Sequence, residues 1–395
     1  MQIKEVSACE ILDSRKEKTI MVSIKTNIGN FSASAPNGKS TGKYETKPYK
    51  KSLKEDIETL EKFSDYFGKE KFLEFDDLKK IEEVVKGQIG ANSLFALESC
   101  VLKAIAKEKK KQVWQLINTK AKKMPKLVGN VIGGGKHSAI TSRKPDFQEF
   151  LLIPEIKYVF EAWDLNKNAK VDAEIILKSI DENFSNKKND EDAWIVSVNE
   201  KIVLEVLKDL TENAWDERKV FLDKGIDLAA SSFCKRKKYY YLNPKLMRTE
   251  EEQLDYLSNL IENFNLFYIE DPFSEESFES FAKLLKKFPN KLIVGDDLTA
   301  TNIKRFEKAA KMKAISAIIV KPNQNGSLLD VKKIVEIAKK NNIKTVFSHR
   351  SGETEETILA DLAFGFQADF FKCGITGKER EAKIKRLTEI EEGLK

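Results

Sequence analysis

Residues 314–321 read AISAIIVK, and five other runs in the second half of the chain are built the same way: KVFLDKGID (219–227), LFYIED (266–271), KLIVGDD (291–297), KTVFSH (344–349) and ADFFK (368–372). Each is short, rich in Val, Ile and Phe, and runs into a polar residue: Asp227, Glu270, Asp296, Lys321, His349 and Lys372 in chain order. These residues stand 43, 26, 25, 28 and 23 positions apart, which leaves room for one strand and one helix per unit. Apolar runs alternating with amphipathic stretches such as 277–288 and 328–340 predict a parallel α/β sheet with both faces covered. So many consecutive units predict closure into a barrel. Catalytic groups of such barrels sit at the carboxyl ends of several strands, where these six residues fall, so an enzyme is expected.

The 395 residues, 41% of them hydrophobic, suffice for two domains and a substantial core. No apolar run approaches the roughly 20 residues that span a bilayer, and the opening MQIKEVSACEILDS lacks the apolar centre of a signal peptide. Four cysteines (Cys9, Cys100, Cys234, Cys373) stand apart with no CxxC pair, which suits a reducing cytoplasm and argues against a thiolate zinc site. The net charge of +6 includes two clusters, KEKKK at 107–111 and KRKK at 235–238, the second followed by Tyr239, Tyr240 and Tyr241. Basic residues beside aromatics bind nucleic-acid strands by charge and stacking. Here the expectation is solvated helix-end and hairpin surface, with neither a nucleic acid nor a membrane as partner.

Organisation changes near residue 125. Residues 3–36 hold three strand-like runs, the loop PNGKSTG follows at 36–42, and helical stretches lie around 52–65, 75–87, 92–108 and 112–120. Strands followed by helices predict an α+β domain over 1–125. The barrel domain is assigned to 126–395, with GNVIGGGKH (129–137) as a glycine-rich loop after a short strand.

Asp227, Glu270 and Asp296 end neighbouring strands, so their carboxylates are expected to converge. Like charges at close range are costly unless a cation neutralises them, and all-oxygen ligands favour a hard ion such as magnesium. The plainer reading, that such acids cap the next helix, suits one of them better than three. Lys321 and Lys372 face these acids. A buried lysine is costly unless it is used, and in a dry pocket its pKa falls, which makes it a base for a proton next to a carbonyl. The two histidines, His137 and His349, lie in the polar loops GGGKH and SHRSGETE, and His349, Arg350 and Ser351 offer donors for phosphate or carboxylate.

These residues carry a resemblance. LDSR (12–15), PNGKSTG (36–42), GANSLFALE (90–98), FQEF (147–150), IEDPF (269–273), GDDLTATN (295–302), KPNQNGS (321–327), SHRSGETE (348–355) and KCG (372–374) resemble the enolases, the phosphopyruvate hydratases of glycolysis, over nearly the whole chain. The resemblance implies a (β/α)8-type barrel of the enolase kind with an N-terminal α+β capping domain, and magnesium-dependent dehydration of 2-phosphoglycerate to phosphoenolpyruvate with two Mg2+ per active site. It implies Asp227, Glu270 and Asp296 as ligands of the first ion and Ser40 as ligand of the second. It implies Lys321 as base, Glu191 of NDED as acid supported by Glu149, and Lys372 facing the substrate carboxylate. Arg350 and Ser351 would hold the phosphate, and His349, His137 and Gln148 would line the pocket.

In the family two glycines follow the acid; here Asp192, Ala193 and Trp194 follow Glu191. The segment after LDSR reads KEKT, and the chain stops soon after Glu392, changes near the family's dimer contact that weaken the expected homodimer. Two alternatives stay open at this level: an enzyme of the same superfamily acting on another acid, and an enolase-like protein with a binding role.

Overall fold

The computed structural model describes residues 1–394 apart from 40, 41, 68, 69, 86 and 139–142. Three antiparallel strands, β1 (Ile3–Leu12), β2 (Lys18–Thr26) and β3 (Gly29–Ser34), open the chain. Helices α1 (Leu53–Lys62), α2 (Ser64–Phe67), α3 (Leu78–Val85), α4 (Ala91–Glu108) and α5 (Val113–Ile117) follow. The central α4 is buried almost throughout and carries Phe95, Leu97, Val101 and Ile105 into the core under the sheet. It can start where it does because Gly90 has no side chain: a Cβ there would lie 2.3 Å from Tyr49 Cα. KEKKK trails from its last turn, where cations oppose the negative end of the helix dipole.

The remaining elements run β4 (Lys126–Gly133), β5 (Glu149–Pro154), α6 (Val159–Ile180), β6 (Trp194–Ile195), α7 (Glu200–Arg218), β7 (Leu222–Asp227), β8 (Cys234–Lys235), β9 (Lys238–Leu242), β10 (Lys245–Thr249), α8 (Glu250–Phe264), β11 (Tyr268–Glu270), α9 (Phe278–Lys287), β12 (Leu292–Gly295), α10 (Ile303–Lys311), β13 (Ala317–Val320), α11 (Leu328–Lys340), β14 (Lys344–Ser348), α12 (Ile358–Gly365), β15 (Phe370–Gly374) and α13 (Lys378–Glu392). Eight strands close a barrel in the order β4, β5, β7, β11, β12, β13, β14, β15, with β15 back on β4. The expected all-parallel pairing fails at one place: β5 runs antiparallel to both β4 and β7. Among the described residues no α-helix intervenes between β4 and β5, and a short return without a crossover helix gives an antiparallel pair.

The barrel strands are buried on both faces, which is why they read as unbroken apolar runs. Val128, Leu151, Ile153, Tyr268, Val294, Ala317, Ile319, Val346 and Phe370 fill the interior, while residues between them face the helices. Side chains alternate along a strand, so the residue two beyond an interior one again points inward, at the mouth of the barrel. Ile319 leads to Lys321, Val294 to Asp296, Tyr268 to Glu270, Phe370 to Lys372 and Val128 to Asn130. This period of two brings four of the six polar strand ends, Glu270, Asp296, Lys321 and Lys372, to one mouth.

The KRKK cluster forms the tip of the small sheet β8–β9–β10, where Arg236 and Lys237 take positive φ. Tyr239 and Tyr241 are fully buried behind it, so only Tyr240 stands outward and the stacking platform of a nucleic-acid strand is lacking. No helix among the described residues is long and apolar enough to cross a membrane.

Candidate active site

A cavity of about 220 Å³ opens at the carboxyl ends of the strands, lined by Glu149, Glu191, Asp227, Asp296, Lys321 and Lys372 together with His137, Gln148, His349, Arg350 and Ser351. That is below the roughly 300–1,000 Å³ of pockets for drug-sized ligands. Its wall is mostly charged, with carboxylates and ammonium or guanidinium groups facing one another.

Lys372 lies inside β15 instead of ending it, and its Nζ is 3.0 Å from Glu149, 3.0 Å from Asp227 and 2.8 Å from Glu270. Burial works against the ammonium, but these three carboxylates outweigh it and raise its pKa well above the usual range. Glu270 sits beneath the cavity, fully buried, and accepts a 2.7 Å hydrogen bond from Tyr268. Lys321 pairs with Asp296. The pKa of a buried lysine was expected to fall; burial does lower it, yet Asp296 more than offsets this and holds Lys321 up at about 12.

The three acids predicted to converge are divided between two ammonium groups. Asp227 and Glu270 turn to Lys372, whereas Asp296 stands with Asp271 and Asp297, their oxygens within 4.8 Å of one another. Asp271 has a backbone role, accepting from the N–H groups of Asp296 (3.0 Å) and Asp297 (2.7 Å). Asp227 similarly accepts from Ala229 N–H at 2.9 Å while keeping its second oxygen on Lys372. A lysine ammonium thus occupies the charge role that a metal ion would take. Negative charge is still in excess: burial, then Asp227, pushes Glu270 up to about 8, and burial, then Asp296, pushes Asp297 up to about 7. Glu270 Oε1 and Asp296 Oδ1 are buried without a hydrogen-bond partner among the described residues. Hard, unsatisfied oxygens beside excess negative charge fit a divalent cation.

Glu191 is carried on the loop that precedes β6 and lies between the histidines, 3.5 Å from His137 Nδ1 and 3.7 Å from His349 Nε2. Asn130 donates to it at 3.0 Å. His137, Glu149 and Glu191 form a second group within 4.8 Å. Burial pushes both histidines toward the neutral form, His349 the further. Burial, then the facing Glu191, raises Glu149 well above the carboxylate range, while burial of Glu191 is overcome by His137, His349 and Arg380, which hold its pKa below the usual range. Glu149 and Glu191 face each other closely enough to share protons as one pair. Within it the Glu149 carboxyl retains a proton most readily.

Arg350, expected on the phosphate, is paired at 2.9 Å with Glu45 of the N-terminal domain and donates to Asn323 at 3.3 Å. Ser351 Oγ accepts from Lys39 N–H at 2.8 Å, and Gln148 donates its backbone N–H to Asp227 O at 2.9 Å. Ser40 lies outside the described residues. Sequence reading missed Tyr268, Asn130, Glu45 and Arg380. The first two were findable, since each shares a strand face with a predicted or interior residue, whereas no local pattern marks Glu45 or Arg380.

A family model described as "Enolase, N-terminal domain" matches residues 3–117, and one described as "Enolase, C-terminal TIM barrel domain" matches 121–395. Curated proteins named enolase are similar over nearly full length. That of Methanosphaera stadtmanae is 34% identical over 99% of this chain and 97% of its own. Those of Archaeoglobus fulgidus and Methanocorpusculum labreanum are 34% and 35% identical over 99% of this chain and 98% and 99% of theirs.

Proposed function

Because the chain belongs to the enolase family, and is thus a lyase interconverting 2-phosphoglycerate and phosphoenolpyruvate, we propose that Lys321 takes the C2 proton and Glu191, with Glu149, delivers a proton to the departing C3 hydroxyl. The C2–H electrons become the C2–C3 double bond, the C3–O bond breaks, and the hydroxyl leaves as water. One observation carries this reading: the buried Lys372, the mostly covered Lys321 (side chain 16% exposed) and a carboxyl pair beside two histidines line a single small cavity. Lys321 acts as base when Asp296 turns from it, since burial by itself lowers an ammonium. Glu149 supports Glu191 because two facing carboxyls cannot both ionise cheaply, which keeps a proton on the pair. Lys372 meets the substrate carboxylate, Arg350 and Ser351 meet the phosphate, and His137, His349 and Gln148 shape the wall.

In this reading Asp227, Glu270 and Asp296 hold one Mg2+ and Ser40 contributes to a second; the fit rests on the orphaned carboxylate oxygens and the all-oxygen donor set. When bound, magnesium supplies positive charge against the carboxylate and the charge that builds at C2. Purified protein given 2-phosphoglycerate and magnesium should form phosphoenolpyruvate, and Lys321→Ala should not while keeping its circular dichroism spectrum. Undiminished turnover in Lys321→Ala would remove that residue as the base. The family homodimer and a cytoplasmic location are further proposals, tested by sedimentation velocity and cell fractionation.

A further inference from the structure

Lys170 lies mid-way along α6 with its side chain only 5% exposed, and no step of the reaction uses it. A buried ammonium is costly unless it is paired and hydrogen-bonded. Its partners all belong to the segments around Glu191: it donates to the backbone oxygen of Asp192, to Thr376 Oγ1, and to Asp192 Oδ2 at 2.9 Å. Thr376 in turn is bonded to the same carboxylate. Asp192 holds φ at 64°, the left-handed region that non-glycine residues rarely take.

On the other side of Glu191, Arg380 donates to Asp190 O at 2.8 Å and Lys39 pairs with the Asp190 carboxylate at 2.6 Å. Asn189 Oδ1 accepts the N–H groups of Glu191 and Ala193 at 2.9 and 3.0 Å. Beneath, the loop presses on Gly374, where a Cβ would come 2.7 Å from Glu191 O. By contrast, the Glu191 carboxylate has one hydrogen bond among the described residues, from Asn130. Its position is therefore set by the residues that fix its backbone.

We infer that the buried Lys170–Asp192–Thr376 cluster is a positioning device that holds Glu191 at the leaving-hydroxyl end of the cavity. This rests on the reading of Glu191 as the acid. Lys188 also reaches Asp192, at 3.3 Å, but is 41% exposed, and such pairs contribute little. The cluster touches no reacting atom and acts only on the second half of the reaction: removing the C2 proton depends on Lys321, losing the hydroxyl on Glu191.

The test uses that division. Lys170→Met should lower phosphoenolpyruvate formation by about 10²-fold, the effect expected of a displacement near 1 Å. The KM for 2-phosphoglycerate and the exchange of its C2 hydrogen with deuterium oxide should stay as in the parent. Lys170→Met leaves Asp192 with the half-exposed Lys188 as its cation, so the double variant Lys170→Met/Asp192→Gly guards against misfolding: it removes both buried-cluster charges and puts glycine where φ is positive. It should show the same loss of turnover with retained exchange. Asp192→Asn, which keeps an acceptor and tolerates the left-handed region, should restore most of the activity that Asp192→Gly loses. Full turnover in both Lys170 variants, or exchange falling in step with turnover, would overturn the inference. Glu191→Gln is run beside them. If it keeps turnover, the acid reading itself fails; if it loses turnover while the Lys170 variants do not, only the positioning role fails.

Discussion

At the carboxyl ends of the barrel strands, Lys372 shares one ammonium among Glu149, Asp227 and Glu270, all buried. At the opposite end Lys123 and Lys344 share the single carboxylate of Asp369, at 2.8 and 3.1 Å, with both lysines more than half exposed. The lower end has cations to spare and water to screen them, whereas the upper end has carboxyls to spare and neither. The difference separates charge kept for holding the barrel from charge kept for chemistry, since an unbalanced buried cluster lowers stability and persists where the reaction needs it.

The largest effect that sharpens this contrast is on turnover. Lys321→Ala at the upper end should cost about 10³-fold or more in phosphoenolpyruvate formation, within the range of a lost general base and its charge. Asp369→Asn at the lower end should leave turnover untouched; a comparable loss there would erase the distinction. Next comes Lys372→Met, which strands three buried carboxyls. In metal-free protein it should destabilise by about 3–5 kcal/mol, the usual result of removing one member of a buried charge cluster, read by urea unfolding.

A smaller effect concerns pH. Glu270 at about 8 and Asp297 at about 7 lie above their usual 4.5 and 3.8, so folding takes up protons between those values. Metal-free protein should thus become more stable as pH falls from 8 toward about 5, with magnesium flattening the trend. Asp369 has the opposite sign. Burial alone would raise it, but Lys123, Thr345 N–H and Lys344 lower it, so its contribution is present above its usual 3.8 and is lost as pH falls through the folded value. Unfolding midpoints of chelator-treated protein that stay level between pH 8 and 5 would break the contrast at the upper end. The smallest effect is the stability change in Asp369→Asn, within about 1 kcal/mol for a half-exposed pair, measured by the same unfolding series.

Much of the upper end was legible because a strand has a period of two and a barrel strand is apolar on both faces. An interior residue such as Ile319 announces that Lys321 points into the mouth, and the same rule would have yielded Tyr268 and Asn130. The reversal of β5 was hidden, as nothing local in FQEFLLIP records which way a strand runs. Glu45, which pairs with Arg350, was hidden because the two residues are separated by 305 positions.

The sequence by itself determined the barrel, the N-terminal α+β domain, and which carboxyls and lysines lie at the strand ends, because local periodicity dictates which side chains share a face. Only the tertiary structure decided how those charges pair: Asp227 and Glu270 on one ammonium, Asp296 on another, and Lys170 under the loop of Glu191. Pairing depends on distances between segments far apart in the chain and on the dielectric that burial creates. That is why Lys321, expected to lose its proton easily, is instead held at about 12 while Asp296 faces it.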